Sequence, residues 1–139
     1  MSYRIVGKYI KDLEFSIPNS KAFYLLTENI ANYKINIDIK SNRIKENIFE
    51  ILISLNLTQP EDNSDKIITK IVFASIIELS DSQIDKIALE KIILIDVPDK
   101  IYPELREVFV KLFEYSGFKD IKINEKIDFN KLYNIRKAQ

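Results

Sequence analysis

The chain has 139 residues with 21 basic and 21 acidic side chains, a net charge of zero, and 46% hydrophobic residues, but neither Cys nor His. That length fits one domain, residues 1–139, with room for a real core, and zero charge sets up no global field to draw nucleic acid or an anionic membrane. Without Cys or His there are no disulfides, no thiol nucleophile, no Ser-His-Asp or Cys-His catalysis and almost no zinc chemistry.

No apolar run is long enough to span a bilayer. The first twenty residues carry charges every few positions and lack an apolar h-region, so the sequence predicts no secretory signal and a cytoplasmic protein. Isoleucine occurs 26 times and lysine 17 times, as in AT-rich coding sequence. Periodicity is therefore a better guide here than β-propensity.

Residues 3–17 alternate. Tyr3, Ile5, Tyr9, Leu13, Phe15 and Ile17 share one parity, which predicts a strand with one covered face, broken near Gly7. Val6, Ile10 and Lys11 violate that pattern. Pro18-Asn19-Ser20 ends the strand, and 21–32 reads as an irregular connection with a helical turn around Phe23 to Leu26. Residues 33–40 alternate without exception, a half-buried strand. Residues 41–47 turn, and 48–58 form a third strand with Phe49, Ile51, Ile53, Leu55 and Leu57 inward. Residues 59–65 make the clearest loop. A fourth strand over 66–79 is apolar on both faces from Ile71 to Ile77, which fits either a central strand packed on both sides or an apolar surface that binds something.

From Ser80 the period changes. Ser80-Asp81-Ser82-Gln83 resembles a capping box, and Ile84, Ile87, Ala88 and Lys91 begin a short helix. Residues 92–95 either continue it or become an extended apolar connector. The longest amphipathic stretch follows, 96–118, with Leu105, Val108, Phe109, Leu112 and Phe113 at i, i+3, i+4, i+7 and i+8 on one stripe. Pro103 suits its first turn and Gly117 the left-handed residue past its end. A helix of about fourteen residues is about 21 Å long. Residues 119–126 read as extended, and Asp128 caps a last short helix over 129–137. The sum is an α+β domain: a four-stranded antiparallel sheet with one long amphipathic helix and one or two short ones.

Catalysis finds little support. Asp96, Asp99 and Glu104 would have to converge for carboxylate-dependent hydrolysis, yet acids near a helix N-terminus are what the macrodipole favours anyway. The acidic loop 61–65 lacks the glycine and closing glutamate of a calcium loop. Two glycines, Gly7 and Gly117, make no phosphate cradle. No cofactor is expected. Alternating Lys and Tyr near Tyr3 to Lys11 fit a strand better than a base-stacking surface. Eight Phe and seven Tyr exceed what one sheet and one helix need to bury. That excess points to oligomerisation, a binding groove, or both.

Three segments carry a resemblance. Tyr9-Ile10-Lys11-Asp12-Leu13-Glu14-Phe15-Ser16-Ile17-Pro18-Asn19, then Val97-Pro98 with Ile101-Tyr102-Pro103-Glu104-Leu105-Arg106-Glu107, then Gly117-Phe118 with Ile127-Asp128-Phe129-Asn130-Lys131-Leu132-Tyr133 resemble, in that order, motifs of the SecB family of protein-export chaperones. The resemblance implies a SecB-like fold, assembled as a homotetramer (a dimer of dimers) with the long helices at its centre. Leu105, Val108, Phe109, Leu112 and Phe113 would then serve core and subunit interface together, with Arg106 and Glu107 a structural pair.

It also implies a passive, ATP-independent holdase. Such a protein keeps unfolded precursor proteins extended and delivers them to the SecA translocase motor, without nucleic acid and without membrane insertion. The client groove would lie between the sheet and the connector before the long helix, at Ile71, Phe73, Ile76, Ile77, Ile87, Ile92 and Leu94. The motor-docking face would comprise Asp12, Glu14, Ser16, Ile68 and Lys70. Two departures bear on that face, since Ser16 and Lys70 stand where the family has glutamates, and the lysine reverses a sign. A SecB-like chaperone dedicated to one partner, such as an antitoxin, is the alternative.

Overall fold

The computed structural model describes residues 2–29, 33–58, 66–81, 83–118, 123 and 126–138. Strands β1 (Tyr3–Ser16), β2 (Lys34–Lys45), β3 (Ile48–Thr58) and β4 (Ile68–Leu79) form one antiparallel sheet in the order β1-β4-β3-β2. Helices α1 (Ser20–Asn29), α2 (Lys86–Lys91), α3 (Val97–Tyr115) and α4 (Phe129–Ala138) complete the fold, with a π-helical turn at Ile92–Asp96 joining α2 to α3. The loop expected at 59–65 lies outside the described residues. So does most of 119–126.

The strand order accounts for the two apolar faces of β4, which is central and paired on both sides. Ile71, Phe73, Ile77 and Leu79 join Phe49, Ile51, Ile53 and Leu55 of β3 under α3, whose Ile101, Leu105, Phe109 and Phe113 close the core. On the other face Val72 and Ala74 are also buried.

β1 departs from simple alternation. Register shifts between Ile5 and Gly7 and between Ile10 and Asp12 make Val6 and Lys11 the extra residues of two β-bulges. Each bulge reverses parity. Tyr9 therefore pairs with Ala74 on the outer face instead of joining Tyr3 and Ile5, while Ile10, opposite Phe73, takes the helix side; after the second bulge Leu13 and Phe15 return to it. The violations at Val6, Ile10 and Lys11 mark these two sites.

Other boundaries also shift. The segment expected to be irregular holds α1, because Asn19 Oδ1 accepts from the Ala22 amide at 2.8 Å and caps a turn whose Ala22 and Leu26, spaced i and i+4, are fully buried. β2 runs on to Lys45, so the turn to β3 shrinks to Glu46 and Asn47. The cap of α2 is Asp85, which accepts from Ala88 N at 2.9 Å, rather than Ser80. The connector stays helical.

The long helix has 19 residues, with Pro98 in its first turn and Pro103 inside it. Pro103 leaves the exposed Asp99 carbonyl without its helical donor. The stop fits the expectation. Gly117 adopts φ 104°, Phe118 N bonds Phe113 O at 2.9 Å, and Gly117 N bonds Glu114 O at 3.1 Å, while the rings of Phe113 and Phe118 meet at 6.3 Å. These are the two bonds and the apolar contact of a Schellman motif.

Candidate functional site

β2 is an edge strand. Its helix-facing residues Ile35, Ile37 and Ile39 are only half-buried, because α3 packs on β3 and β4. Opposite them stand the π-helical turn, the start of α3 and α4. Between these walls run three adjoining cavities. The first, about 400 Å³, lies among Tyr33, Ile35, Ile37, Tyr102, Ile123 and Ile127. The second, about 250 Å³, lies among Ile37, Ile39, Leu94, Leu132, Tyr133 and Arg136. The third, about 400 Å³, is bordered by Ile39, Ser41, Glu90, Ile93, Leu94 and Arg136. Neighbouring cavities share residues, so they form one groove. From Ile35 to Ser41 it follows the strand for about 20 Å, at roughly 3.3 Å per residue.

The far wall is held by specific contacts. Asp128 Oδ1 accepts from Lys131 N at 2.9 Å and caps α4 as its sequence predicts. Phe129 then meets the Tyr102 ring edge-on at 6.0 Å, and the Tyr133 hydroxyl donates to Glu90 Oε2 at 3.1 Å. These contacts tie α4 to α3 and α2 along one side of the groove.

Of the residues expected to line a client groove, Leu94 borders the groove described here. Ile71, Phe73, Ile77 and Ile92 are buried, Ile76 is half-buried on the opposite face of the sheet, and Ile87 is exposed on α2. Sequence reasoning missed Ile35, Ile37, Ile39 and the α4 side chains. The available signal was the perfect alternation of 33–40 together with a shortage of helices to cover it.

The five residues of the expected docking face do share a face. Register sets Glu14 opposite Lys70, Ser16 opposite Ile68 and Asp12 opposite Val72, on the side of the sheet away from α3, and Ile68 is 49% exposed. Lys70 also pairs with Asn56 on the neighbouring strand β3. Toward the other end of this face, the Tyr9 hydroxyl donates to Glu50 Oε2 across β4 at small Ala74, and Lys11 Nζ lies 3.7 Å from Glu50 Oε1. The Tyr9 bond, with help from Asn42 and Lys11, holds the Glu50 carboxyl below its usual value; the same bond raises the Tyr9 phenol. The bulges make this bridge possible by turning Tyr9 outward.

On α3, Leu105, Phe109 and Phe113 have no exposure, each enclosed within the single chain. Val108 and Leu112 are half-buried and border a concavity of about 430 Å³ with Phe73, Glu104, Glu107, Lys111 and Tyr115. Ile10 and Leu13 of edge strand β1 face this side, 45% and 41% exposed, and Tyr115 is 84% exposed. An apolar surface thus continues past the chain's own core. Arg106 does not need Glu107, since its Nε donates to Ile123 O at 3.2 Å.

The candidate acids do not gather. Asp96 and Asp99 are exposed, Glu104 Oε1 is 2.8 Å from Lys8 Nζ, and Asp99 and Glu104 are about 140° apart around the helix.

Comparison with known proteins matches residues 1–139 to the family model of preprotein translocase subunit SecB. The chain is 38% identical over 135 residues to the protein-export protein SecB of Pelagibacter ubique (strain HTCC1062), covering 97% of this chain and 96% of that one. It is 24% identical over 148 residues to that of Anaplasma phagocytophilum (strain HZ), covering 98% and 93%. Among solved structures, a Mycobacterium tuberculosis SecB-like chaperone in complex with a ChAD peptide from the HigA1 antitoxin superposes with a TM-score of 0.64 at 14% identity, over 88% of this chain and 90% of that one. That likeness shows the shared fold, and the match across the full sequence shows that the chain belongs to the SecB family, whose members are chaperones for protein export.

Proposed function

We propose that the chain is an ATP-independent holdase whose client site is the groove between β2, the π-helical turn and α4. The observation that carries this reading is the groove itself, about 20 Å of half-buried isoleucines facing Leu94, Leu132 and Tyr133. A folded protein has its apolar side chains inside and offers nothing to such a groove, whereas an extended segment offers one every few residues. The protein works on precursors in the cytoplasm, and no helix among the described residues is long and apolar enough to cross a membrane.

Assembly is part of the same proposal. The concavity at Val108, Leu112 and Tyr115 and the free edge of β1 are the surfaces for further copies, in a tetramer built as a dimer of dimers. Delivery to SecA uses the outer face at Asp12, Glu14, Ser16, Ile68 and Lys70, weakened by the lysine. A second reading, a chaperone dedicated to one partner such as an antitoxin, draws on that lysine and on the peptide-bound M. tuberculosis relative in fold.

The test mixes the protein with a chemically unfolded precursor, without nucleotide, and follows aggregation by light scattering. Suppression near stoichiometric amounts, lost in Leu94→Lys, supports the groove. No suppression at molar excess overturns the holdase reading, and capture of a single small protein from the cell in place of many precursors would favour the dedicated one.

A further inference from the structure

Arg136 lines both the 250 Å³ cavity and the adjoining 400 Å³ one, so it borders the place where the two meet. It is exposed, and among the described residues it makes no ion pair. The other charges bordering these cavities are placed differently. Asp38 pairs with Ser54 and Lys40 with Leu52, so strand parity sends both side chains to the opposite face of the sheet from Ile37 and Ile39. Glu90 borders only the outer of the two cavities, and its carboxylate accepts the Tyr133 hydroxyl. In the smaller cavity the charged residue contributed by the helix side is therefore Arg136, which lines it together with Ile37, Ile39, Leu94 and Leu132.

A guanidinium is weakly hydrated, keeps its charge at every physiological pH and presents a planar fork that fits a carboxylate. Beside apolar walls that water leaves when a segment docks, such a pair is screened less than on open surface. We propose that this groove prefers extended non-native segments in which an acidic side chain accompanies the apolar ones, with Arg136 pairing the carboxylate. This rests on the groove being the client site. Basic segments are disfavoured at the same place, because the ammonium would be desolvated against a like charge.

The experiment uses three synthetic unstructured peptides that differ at one position, Glu, Gln or Lys, within the same Leu- and Phe-containing sequence. Their binding to the full chain is read by fluorescence anisotropy at low and high salt. The Glu peptide is expected to bind roughly three- to fivefold tighter than the Gln peptide, the range of a partly exposed ion pair, and the Lys peptide weaker than both. High salt compresses the difference. In Arg136→Gln the three converge, and in Arg136→Glu the order reverses, with circular dichroism confirming that each variant is folded. Equal affinities in the wild type, or preference for Lys, overturn the proposal while leaving the groove in place. Failure of all three peptides to bind overturns the groove reading itself.

Discussion

Replacing Phe113 by Ala separates the protomer core from any surface between protomers. Phe113 has no exposed area, and its ring meets Phe15 edge-on at 5.1 Å, Phe109 at 4.9 Å and Phe118 at 6.3 Å. Removing a buried Phe ring costs about 3–5 kcal/mol, of which about 0.5–1.5 per pair comes from aromatic geometry. The upper part of that range applies here, because the site joins β1, α3 and the Schellman stop and cannot collapse without moving all three. With a urea slope of about 2 kcal/mol per molar, the unfolding midpoint should fall by about 2 M. Tyr115→Ala, two residues along the same helix and 84% exposed, should move the single chain's own midpoint by less than about 0.3 M, corresponding to the usual limit of about 0.5 kcal/mol for surface substitutions, while a loss that comes from assembly at the concavity would change with protein concentration. The assay is urea unfolding followed by circular dichroism at two protein concentrations, and the Phe113→Ala deficit should be the same at both. A deficit below about 1 kcal/mol, or equal losses for the two variants, would refute the enclosed-core account of the stripe.

The other tests address the surfaces. Leu112→Glu places a charge in the half-buried concavity, and sedimentation should show smaller assemblies with helix content retained; Phe109→Glu instead unfolds the protomer, since Phe109 is enclosed. Tyr9→Phe removes the bond that lowers the Glu50 carboxyl and raises the Tyr9 phenol. The carboxyl contribution is present above its ordinary value of 4.5 and fades as pH falls through the lowered one, while the phenol contribution is present below 10.0 and fades as pH rises through the raised one. Wild type and Tyr9→Phe should thus differ in unfolding midpoint at neutral pH and converge in acid. Lys70→Glu, opposite Glu14, should tighten binding of the purified motor SecA in a pull-down if the outer face docks it, most visibly at low salt.

The sequence made most of the fold legible where hydrophobic period and cap chemistry agreed. β3, the stripe of α3, the Gly117 stop and the Asp128 cap are read from local rules and found in place. The failures share a cause. Tyr9 was assigned by parity, and parity cannot be carried across a bulge. α1 was hidden because its buried stripe is short, Ala22 and Leu26, within a polar segment. Ile71, Phe73, Ile77 and Ile92, expected along a groove, are buried instead, because strongly apolar side chains at the middle of the sheet and under the π-helical turn go into the core. What lines an open groove is the half-apolar edge, Ile35 to Ile39, left uncovered because one long helix cannot roof four strands. That is a property of strand order, which period does not encode.

Magnitudes connect the groove to the proposed assembly. One apolar side chain docked in a cavity contributes about 1.5–3 kcal/mol, so a groove that takes two or three offers about 3–9 kcal/mol. Ordering the backbone of the six residues that span it costs about 6–12 kcal/mol. Hydrogen bonds and the Arg136 pair narrow that gap without reversing it by much, so a single groove binds weakly. A folding client recovers more by burying the same side chains in itself, which is how a passive holdase can release without ATP. Retention then needs a segment long enough to reach several grooves at once, each later contact being intramolecular. Assembly and holding are therefore one property, and a folded but monomeric Leu112→Glu protein should keep its short-peptide affinity and lose its grip on long unfolded chains.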